Sequence, residues 1–470
     1  MKIYGRGLEE IREIIKRREV RIGVVGLGRV GMIIASAFLD KGFGVVGYDV
    51  NHREIIDSLL RESESLHPER TVREIMTKAF RSNKLIIRDL EELSSEKSDV
   101  YIVIVPVSWR SNKPGLEALE KASVALGRNI ERGDFIILES SAPPGTTRRF
   151  MIPLIEEHSK LIAGKDFGVA YSPERVSIGR GFEDLTKNYP KIVSGIDEYS
   201  LEIASIIYSE ISSKGVIRAS SIETAEFTKL AEGVYRDVNI ALANALAEAA
   251  RLLGIDFWEV IALANTQPYS HIHFPGPGVG GVCLPYYPRF LTWSISNVSS
   301  DCWCAELINL AREINDSQPR RIIDLVIEGL KLLNAGDFYE KKICVLGLSY
   351  RGDIPDSRES PTYAIARELL LRGFSDVTIH DPFINRDPVL DEMRIRLTRD
   401  LVSCIRDSHV IIVSTDHSLY RDLSTEKLKE ISGRGEILIL DNRNIIRYEA
   451  KRSWDKKCLY GGVGKKWSWC

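Results

Sequence analysis

The sequence predicts an α/β protein with two Rossmann-like, doubly wound domains joined by a central helical domain that contains one long helix. Short apolar runs alternate with helical segments in the first part of the chain, and the same alternation returns near its end. A long, uninterrupted helical pattern lies between the two. Such alternation is typical of parallel sheets with helices on both faces. We expect the domain boundaries at 1–205, 206–320 and 321–470.

The composition is typical of globular domains. The chain has 470 residues, 44% of them hydrophobic and 28% charged, which is too long for one ordinary domain. Its 64 Lys and Arg and 66 Asp and Glu residues leave a net charge of -2. We therefore expect neither a nucleic-acid partner nor a membrane partner. The longest apolar runs, 30–39 and 100–109, are shorter than the roughly 18 residues that a membrane-spanning helix needs.

The compartment is predicted from the start of the chain and from the cysteines. Residues 1–18 are rich in charged side chains and lack the apolar core of a signal peptide. Seven cysteines are an ordinary proportion for a chain of this length, and seven is not an even number. A reduced, cytoplasmic setting is the simplest interpretation.

The first α/β domain begins after a short amphipathic helix, in which Leu8, Ile11, Ile14 and Ile15 recur at helical spacing. Six buried strands are predicted after this helix in the sequence. They lie at 21–25, 44–49, 85–88, 100–105, 135–139 and 167–171. Their continuous apolar character favours a parallel sheet that is covered on both faces.

The middle of the chain is predicted to be helical. Residues 222–253 form one long helix without proline and with Gly233 as the only interior glycine. Helices of this length often bridge domains or form a dimer seam. Four apolar residues at spacings of three and four give the helix a narrow stripe, which predicts a homodimer. They are Ile240, Ala243, Ala247 and Ala250.

The second α/β pattern has predicted strands at 342–346, 377–381, 410–415 and 436–441. Its runs at 408–414 and 437–441 are similar in pattern to those at 99–105 and 135–139. We interpret the two outer domains as related nucleotide-type folds. In the second, Gly347-Leu-Ser349 lacks the middle glycine of a dinucleotide loop, so we do not expect it to hold a dinucleotide in that way.

A glycine loop in the first domain predicts dinucleotide binding. Gly26-Leu-Gly28-Arg-Val-Gly31 follows a strand and opens a helix, whose N-terminus favours phosphate. Asp49 ends the second strand, where a carboxylate accepts the ribose hydroxyls and repels a 2′-phosphate. This favours NAD over NADP, although Arg53 nearby argues mildly against it. The alternative is a glycine turn without a ligand.

Cys283 is the most distinctive cysteine. It lies in a segment rich in glycine and proline, 275–285, in which backbone amides and a thiol can both meet a ligand. A thiolate there can attack a carbonyl, and the amides can stabilise the oxyanion. The alternative is a small residue in a tight turn. Cys302 and Cys304 are expected on different faces of a helix, so we predict no metal site.

Two further charged pairs leave their interpretation open. Glu226 and Lys229 lie three residues apart on one face of the long helix. The simplest interpretation is a solvated ion pair. Glu174 and Arg175 follow a strand end, where α/β folds place active-site loops. The alternative for the second pair is a surface salt bridge at a turn.

These motifs, in this order, resemble the UDP-glucose/GDP-mannose dehydrogenase family, and most closely its UDP-N-acetylmannosamine or UDP-N-acetylglucosamine 6-dehydrogenase branch. The resemblance covers nearly the whole chain. Besides the glycine loop and the Cys283 segment, it rests on the stretches 139–147, 173–175, 225–230, 236–241, 254–260, 311–315, 346–351, 356–361, 415–417 and 441–443.

The resemblance implies an enzyme that oxidises C6 of a UDP-N-acetylhexosamine to the uronate with two NAD per turnover. It implies that Cys283 is the nucleophile, which forms a thiohemiacetal and then a thioester. Lys229 would stabilise the developing oxyanion, and Glu174 would assist proton transfer and thioester hydrolysis. A thioester route divides a four-electron oxidation into attainable steps.

The resemblance also assigns binding residues. The residues implied for NAD are Gly26, Gly28, Arg29, Val30, Gly31, Asp49, Arg53, Pro106, Ser141 and Arg358. The residues implied for the UDP-sugar are Gly278, Gly280, Gly281, Tyr350, Arg351 and Arg443. Arg351 stands where the family usually has lysine.

Several positions depart from the family pattern. Tyr287 replaces an Asp four residues after the nucleophile, and Gly233 replaces an Asn four residues after the lysine. The family's Val-Pro-Thr-Pro becomes Val-Pro-Val-Ser at 105–108, which loses a hydroxyl near the nicotinamide, and Val282 stands where the branch often has His. Two alternatives therefore stay open. One is a UDP-glucose or GDP-mannose 6-dehydrogenase, and the other is a catalytically impaired regulatory protein that binds NAD and nucleotide sugar.

Overall fold

The computed structural model describes residues 2–177, 179–299, 302–336, 338–449 and 457–470. These residues form two compact units. The first contains 1–232 and 293–298, and the second contains 233–292 and 299–470.

The first unit contains an eight-stranded sheet in the order β10-β9-β8-β7-β4-β1-β2-β3. The strands from β3 to β8 in this order are parallel, β9 is antiparallel to β8, and β10 is parallel to β9. The strands are β1 Arg21–Val25, β2 Gly44–Tyr48, β3 Leu85–Arg88, β4 Val100–Val103, β7 Phe135–Leu138, β8 Gly168–Tyr171, β9 Lys191–Gly195 and β10 Val216–Arg218, with a separate hairpin of β5 Ser108–Arg110 and β6 Lys113–Gly115.

This strand order is that of a doubly wound dinucleotide-binding sheet, so the predicted fold class is confirmed. The six predicted strands are all present. The short strands β5, β6, β9 and β10 were not predicted.

Helices cover the sheet of the first unit. They are α1 Leu8–Lys16, α2 Arg29–Asp40, α3 His52–Leu60, α4 Arg70–Arg81, α5 Glu117–Asn129, α6 Ile152–Ser159, α7 Gly181–Glu183 and α8 Glu198–Ser209. The predicted amphipathic helix α1 is confirmed, and its Ile11, Ile14 and Ile15 are buried in the core of the unit.

The predicted long helix is also confirmed, as the 31-residue α9 Ile222–Leu252. Its stripe of small residues, however, is not a free surface. Ala243, Ala247 and Ala250 are buried in the core of the second unit together with Phe257 and Ile322. Small side chains let this part of α9 pack closely within the second unit, so the prediction that this stripe forms the dimer seam is wrong.

The second unit combines helices with a seven-stranded sheet in the order β13-β12-β11-β14-β15-β16-β17, in which only β17 is antiparallel. The helices are α10 Phe257–Ala264, α11 Cys283–Ser296, α12 Trp303–Leu332, α13 Pro361–Leu371, α14 Pro388–Met393, α15 Leu401–Ile405 and α16 Thr425–Ser432, and the last residues of α11, 293–296, belong to the first unit. The strands are β11 Ile343–Leu346, β12 Val377–His380, β13 Arg396–Thr398, β14 Val410–Val413, β15 Ile437–Asp441, β16 Cys458–Gly462 and β17 Lys465–Trp469.

The hairpin of β16 and β17, which was not predicted, joins the helical part of the second unit to its sheet. The Phe257 amide donates to the Gly464 carbonyl at 2.9 Å, and the Trp258 indole donates to the Val463 carbonyl at 3.0 Å. The Trp467 indole donates to the Glu328 carboxylate at 2.7 Å.

The cysteines differ from the prediction that they are all reduced. The structure pairs six of the seven as Cys302–Cys304, Cys344–Cys404 and Cys458–Cys470, and leaves Cys283 free and exposed. The expectation that Cys302 and Cys304 point apart is wrong, because Cys302 precedes α12 in a non-helical conformation. Among the described residues, no group of three or more His, Cys, Asp or Glu side chains is arranged to hold a metal ion. None of the helices in the described ranges has the length and apolarity to cross a membrane.

A buried carboxylate organises the first turn of the second sheet. Asp381 follows β12 and accepts hydrogen bonds from the Leu348 and Ser349 amides and the Ser349 hydroxyl at 2.8–2.9 Å. His417 Nε2 lies 3.1 Å from the same oxygen, and the Phe383 amide donates to the other. Burial raises the pKa of Asp381, but the hydrogen bonds from His417 and Ser349 outweigh burial and lower it to about 2.

We expect Asp381→Ala to destabilise the second unit by about 3–5 kcal/mol, because it leaves several buried donors without an acceptor. Calorimetric unfolding of the full chain measures the loss, with the exposed Asp422→Ala as the matched control. The folded pKa is depressed, so this stabilisation is present above the unfolded pKa of about 4 and is lost as the pH falls through about 2. Equal unfolding temperatures for the two variants near neutral pH would contradict the assignment.

Candidate active site

The cofactor residues predicted in the first domain lie along one edge of the first sheet. The glycine loop follows β1, Asp49 follows β2, Pro106 follows β4 and Ser141 follows β7. These four strands are parallel neighbours, so their carboxyl ends share an edge. The strand order reverses at β1 and β4, which is where doubly wound sheets bind their ligands.

The glycine loop has the geometry that a dinucleotide requires. Gly26 has φ +98°, and a side chain there would overlap the Ile104 carbonyl oxygen. A side chain on Gly31 would overlap the Gly26 carbonyl oxygen, so this glycine permits the close approach of α2 to β1. Gly28 caps α2 and has no atom within 4 Å of its missing Cβ, which leaves a cradle for a pyrophosphate at the helix N-terminus.

Asp49 fixes this loop. Its carboxylate accepts from the Leu27 amide at 2.7 Å and from the Asn51 amide at 2.8 Å, and the residue stays half-buried. Arg29 and Val30 begin α2, and Arg53 lies exposed on α3. The residues present therefore fit a bound dinucleotide.

Two of the three predicted catalytic residues come together in the first unit. Glu174 follows β8, is buried, and accepts a hydrogen bond from the Val176 amide. Burial raises the pKa of Glu174, and the positive charges of Lys229 and Lys191 oppose the rise. Lys229 is itself buried on α9. Arg175 instead pairs with Glu232 at 2.8 Å, which is the surface ion pair that the alternative for this turn describes.

Glu226 is not part of a solvated pair with Lys229, so that interpretation is wrong. Its side chain is fully buried and accepts from the Gly145 amide, from the Thr147 amide at 2.9 Å and from the Thr147 hydroxyl at 2.6 Å. Burial raises the pKa of Glu226 to about 7. This carboxyl anchors the beginning of α9 to the loop that follows β7.

A buried cluster that was not predicted from the sequence lies beside Glu174. Lys191 donates to Glu139 at 2.8 Å, and the Tyr208 hydroxyl donates to the other Glu139 oxygen. Glu139 was part of a recognised motif but received no role. An acidic residue directly after a fully apolar strand was the available signal.

The free cysteine lies in the second unit, on a loop pressed against the edge of the second sheet. A side chain on Gly280 would lie 2.6 Å from Tyr350 Cβ, and one on Gly281, which has φ +77°, would lie 3.0 Å from the Tyr350 ring. Gly278 has φ +135° and packs in the same way against Pro361. Cys283 follows as the first residue of α11, where the positive end of the helix dipole favours an anionic group.

The predicted substrate residues of the second unit gather around this loop. Burial raises the pKa of Tyr350, with smaller contributions from Asp356 and the Cys283 thiol. The Arg443 guanidinium donates to the Ser414 carbonyl at 2.8 Å, and burial lowers its pKa. Arg351 lies exposed beside Tyr350.

Arg358 lies at the same loop. Its carbonyl accepts from the Gly281 amide at 3.0 Å, and its guanidinium pairs with Asp356 at 2.7 Å, which raises the pKa of Arg358. A charge on Cys283 also raises the pKa of Arg358, by less than Asp356 does. Its predicted role at the cofactor phosphates stays a prediction.

Tyr287 and Gly233, two departures from the family pattern, are in direct contact within the second unit. Tyr287 is buried one helical turn after Cys283. A side chain on Gly233 would overlap Tyr287 Cδ2 and would lie 3.1 Å from Tyr287 Cβ. The missing side chain of Gly233 therefore makes room for the phenol ring.

Comparisons with known proteins agree with this geometry. Three models of the UDP-glucose/GDP-mannose dehydrogenase family match the chain: its NAD binding domain at 20–212, its central domain at 223–317 and its UDP binding domain at 344–448. The UDP-N-acetyl-D-mannosamine dehydrogenase of Pyrococcus horikoshii is 36% identical over 432 residues, which cover 91% of this chain and 96% of that protein.

Solved structures are similar over the same extent. The UDP-D-ManNAc dehydrogenase from Pyrococcus horikoshii has a TM-score of 0.83 and 34% identity, covering 94% of this chain and 99% of that one. The NDP-N-acetyl-D-galactosaminuronic acid dehydrogenase from Methanosarcina mazei Go1 has a TM-score of 0.80 and 28% identity, covering 98% of both chains. The resemblance inferred from the motifs is confirmed, and the chain belongs to the UDP-glucose/GDP-mannose dehydrogenase family as an NAD-dependent oxidoreductase of nucleotide sugars.

Proposed function

We propose that this enzyme oxidises C6 of a UDP-N-acetylhexosamine, UDP-ManNAc or UDP-GlcNAc, to the uronate. The observation that carries the proposal is the free, exposed Cys283 at the start of α11, on a loop packed against Tyr350 of the UDP-binding match. The name of the Pyrococcus horikoshii relative supports UDP-ManNAc as the first substrate to test.

In this proposal Cys283 supplies the covalent chemistry. Its thiolate adds to the C6 aldehyde and forms a thiohemiacetal, and loss of a hydride from that carbon leaves a thioester. Water then displaces the thiolate and releases the carboxylate. Gly26, Gly28, Gly31 and Asp49 would hold NAD, which would supply the hydride acceptor for both oxidations.

Lys229 and Glu174 complete the proposed catalytic set. The Lys229 ammonium stabilises the oxygen that becomes negative when the thiolate adds. Glu174 accepts the proton of the attacking water during hydrolysis of the thioester. Its buried position, which raises its pKa, suits a group that exchanges protons near neutral pH.

Binding is divided among the proposed domains. Residues 1–205 hold NAD, 206–320 supply Lys229, Cys283 and the dimer contacts, and 321–470 hold the nucleotide sugar. Tyr350, Arg351 and Arg443 contact the UDP group together with Gly278, Gly280 and Gly281, and Arg358 contacts the cofactor phosphates. We place the enzyme in the cytoplasm.

Two other functions have a specific observation in their favour. The contact between Tyr287 and Gly233 replaces polar groups with a phenol, which favours an impaired protein that regulates by binding NAD and nucleotide sugar. The family description itself names UDP-glucose and GDP-mannose, so a 6-dehydrogenase for either sugar is the second alternative.

A substrate panel tests the proposal. We expect NADH formation with UDP-ManNAc or UDP-GlcNAc, two NADH for each uronate, and little reaction with UDP-glucose, GDP-mannose or NADP. Absorbance follows NADH, and mass spectrometry quantifies the uronate. Cys283→Ser should form no uronate, because a hydroxyl is a far poorer nucleophile than a thiolate. Binding of NAD and nucleotide sugar without turnover would establish the regulatory alternative, and uronate formation by the serine variant would remove Cys283 from the mechanism.

The contact between Gly233 and Tyr287 predicts non-additive substitutions. Gly233→Asn alone should lower stability and activity, because the new side chain meets the phenol ring. Tyr287→Asp in the same chain should relieve the overlap and restore a carboxylate, which we expect to raise the steady-state rate by about 10²-fold over the single Gly233→Asn variant. The unmodified protein, the two single variants and the double variant form a double-mutant cycle, in which unfolding temperature and turnover are both measured. Additive effects in both measurements would show that the two residues are independent.

We propose a homodimer that forms through a different face of α9 from the one predicted. Tyr235, Leu242 and Leu246 lie at helical spacing and are 54%, 51% and 38% exposed. Light scattering at micromolar concentration should give the dimer mass, and Leu242→Glu should shift it toward the monomer. Leu371→Glu, at a leucine of α13 that is 80% exposed, is the matched control. A monomeric unmodified protein would refute the dimer.

A further inference from the structure

The buried ion pair of Lys191 and Glu139 has no role in the function proposed so far. The two groups are 2.8 Å apart, and their side chains are only 5% and 0% exposed. The Tyr208 hydroxyl holds the second Glu139 oxygen, and the Lys191 ammonium lies 5.0 Å from the centre of the Tyr208 ring. All three side chains belong to the first unit, where the ammonium lies between the Glu139 carboxylate and the Tyr208 ring.

Packing alone gives little reason for such a cluster. Removing two charges from water costs about as much as their attraction returns, so a buried ion pair adds little net stability. The two charges therefore matter through their effect on neighbouring groups. The neighbour that matters is Glu174, the proton acceptor of the proposed reaction.

The strand register brings Lys191 to Glu174. The antiparallel strands β8 and β9 pair Ala170 with Gly195 and Tyr171 with Ser194. Beyond the end of β8, the Ser172 hydroxyl donates to the Ile192 carbonyl at 2.6 Å, so the chain continues beside β9. Lys191 is the first residue of β9, directly before Ile192, and its charge acts on the Glu174 carboxyl, which lies two residues after Ser172.

The charges that face Glu174 come from several elements. Lys229 on α9 and Lys191 on β9 favour the carboxylate, whereas Glu139 after β7 disfavours it. Tyr171 at the end of β8 is also a neighbour, and burial raises the pKa of its hydroxyl far above the usual range. Lys191 therefore acts on Glu174 directly, and Glu139 acts on Glu174 both directly and through Lys191.

We propose that Lys191 is a positioning residue that holds the Glu174 carboxyl and favours its ionised form, and that Glu139, fixed by Tyr208, limits this effect. The proposal rests on the proposed function for the role of Glu174. The strand β9, which was not predicted from the sequence, thereby helps to set the protonation state of Glu174.

The two partners predict shifts of opposite sign. Lys191→Met removes a cation from the Glu174 carboxylate, so the acidic limb of the pH profile of kcat should move to higher pH. Glu139→Gln removes an anion and leaves the Lys191 charge uncompensated, so the limb should move to lower pH. Shifts of about 1 pH unit are expected when a charge that acts on a buried carboxyl is removed. Lys191→Arg keeps the cation and should restore most of the unmodified profile.

A purely structural pair would not give this pattern, because loss of either partner would lower stability without moving the limb in opposite directions. If Lys191→Met does not fold, the double variant Lys191→Met/Glu139→Gln leaves no buried charge of the pair unpartnered. Its limb should lie at higher pH than that of Glu139→Gln alone, again by about 1 unit.

A measurement without turnover separates this inference from the proposed function. The infrared carbonyl band of protonated Glu174, assigned by its loss in Glu174→Gln, gives the titration midpoint in the protein without substrate. The midpoint should rise in Lys191→Met and fall in Glu139→Gln. Opposite shifts in a protein that oxidises no nucleotide sugar would leave the inference standing and overturn the function. Midpoints that stay unchanged, or that move in one common direction, would overturn the inference.

Discussion

Both sheets depend on one interaction, in which a carboxylate at the end of the second strand accepts hydrogen bonds from the glycine turn after the first. In the first sheet Asp49 accepts from the Leu27 amide. In the second sheet Asp381 accepts from the amides of Leu348 and Ser349. This bond fixes the turn between strand and helix, and therefore the surface that each sheet presents at its carboxyl edge.

The same interaction leads to two different sites because the residues around it differ. In the first sheet the middle glycine, Gly28, leaves open space above the helix N-terminus, and Asp49 stays partly exposed for a ribose. In the second sheet Ser349 donates its hydroxyl to Asp381, and His417 contacts the same oxygen. The Asp381 carboxylate is thereby buried, and protein groups already occupy it with hydrogen bonds. This edge can therefore bind a nucleotide only through other groups.

The sequence was sufficient to predict the parts of the fold that follow local rules. The apolar strands, the glycine loop and the long helix were predicted nearly to the residue, because their signals lie within a few neighbouring positions. The strand β9 begins with a lysine and pairs antiparallel at the far side of the sheet, which no local pattern indicates. The burial of Ala243 and Ala247 and the pairing of Cys344 with Cys404 depend on contacts between distant segments.

The candidate site divides in the same way. Cys283, Lys229 and Glu174 were selected by motif, whereas the buried cluster of Lys191, Glu139 and Tyr208 beside Glu174 was not. Gly233 and Tyr287 were interpreted as two separate losses, because only the folded chain shows that one makes room for the other. Coupled positions that are far apart in the sequence look independent when a chain is compared with a family pattern one residue at a time.

Tyr287 makes the proposed mechanism depend more strongly on Glu174. A phenol, with an unperturbed pKa of about 10, does not serve as a carboxylate base near neutral pH. In the proposed mechanism, activation of water for thioester hydrolysis then depends on Glu174 alone. A buried carboxyl that performs this step must be ionised, although burial opposes ionisation. A second cation next to Glu174, held in place by Glu139 and Tyr208, counters that opposition, so the cluster around Lys191 has a chemical reason in a protein that carries Tyr287.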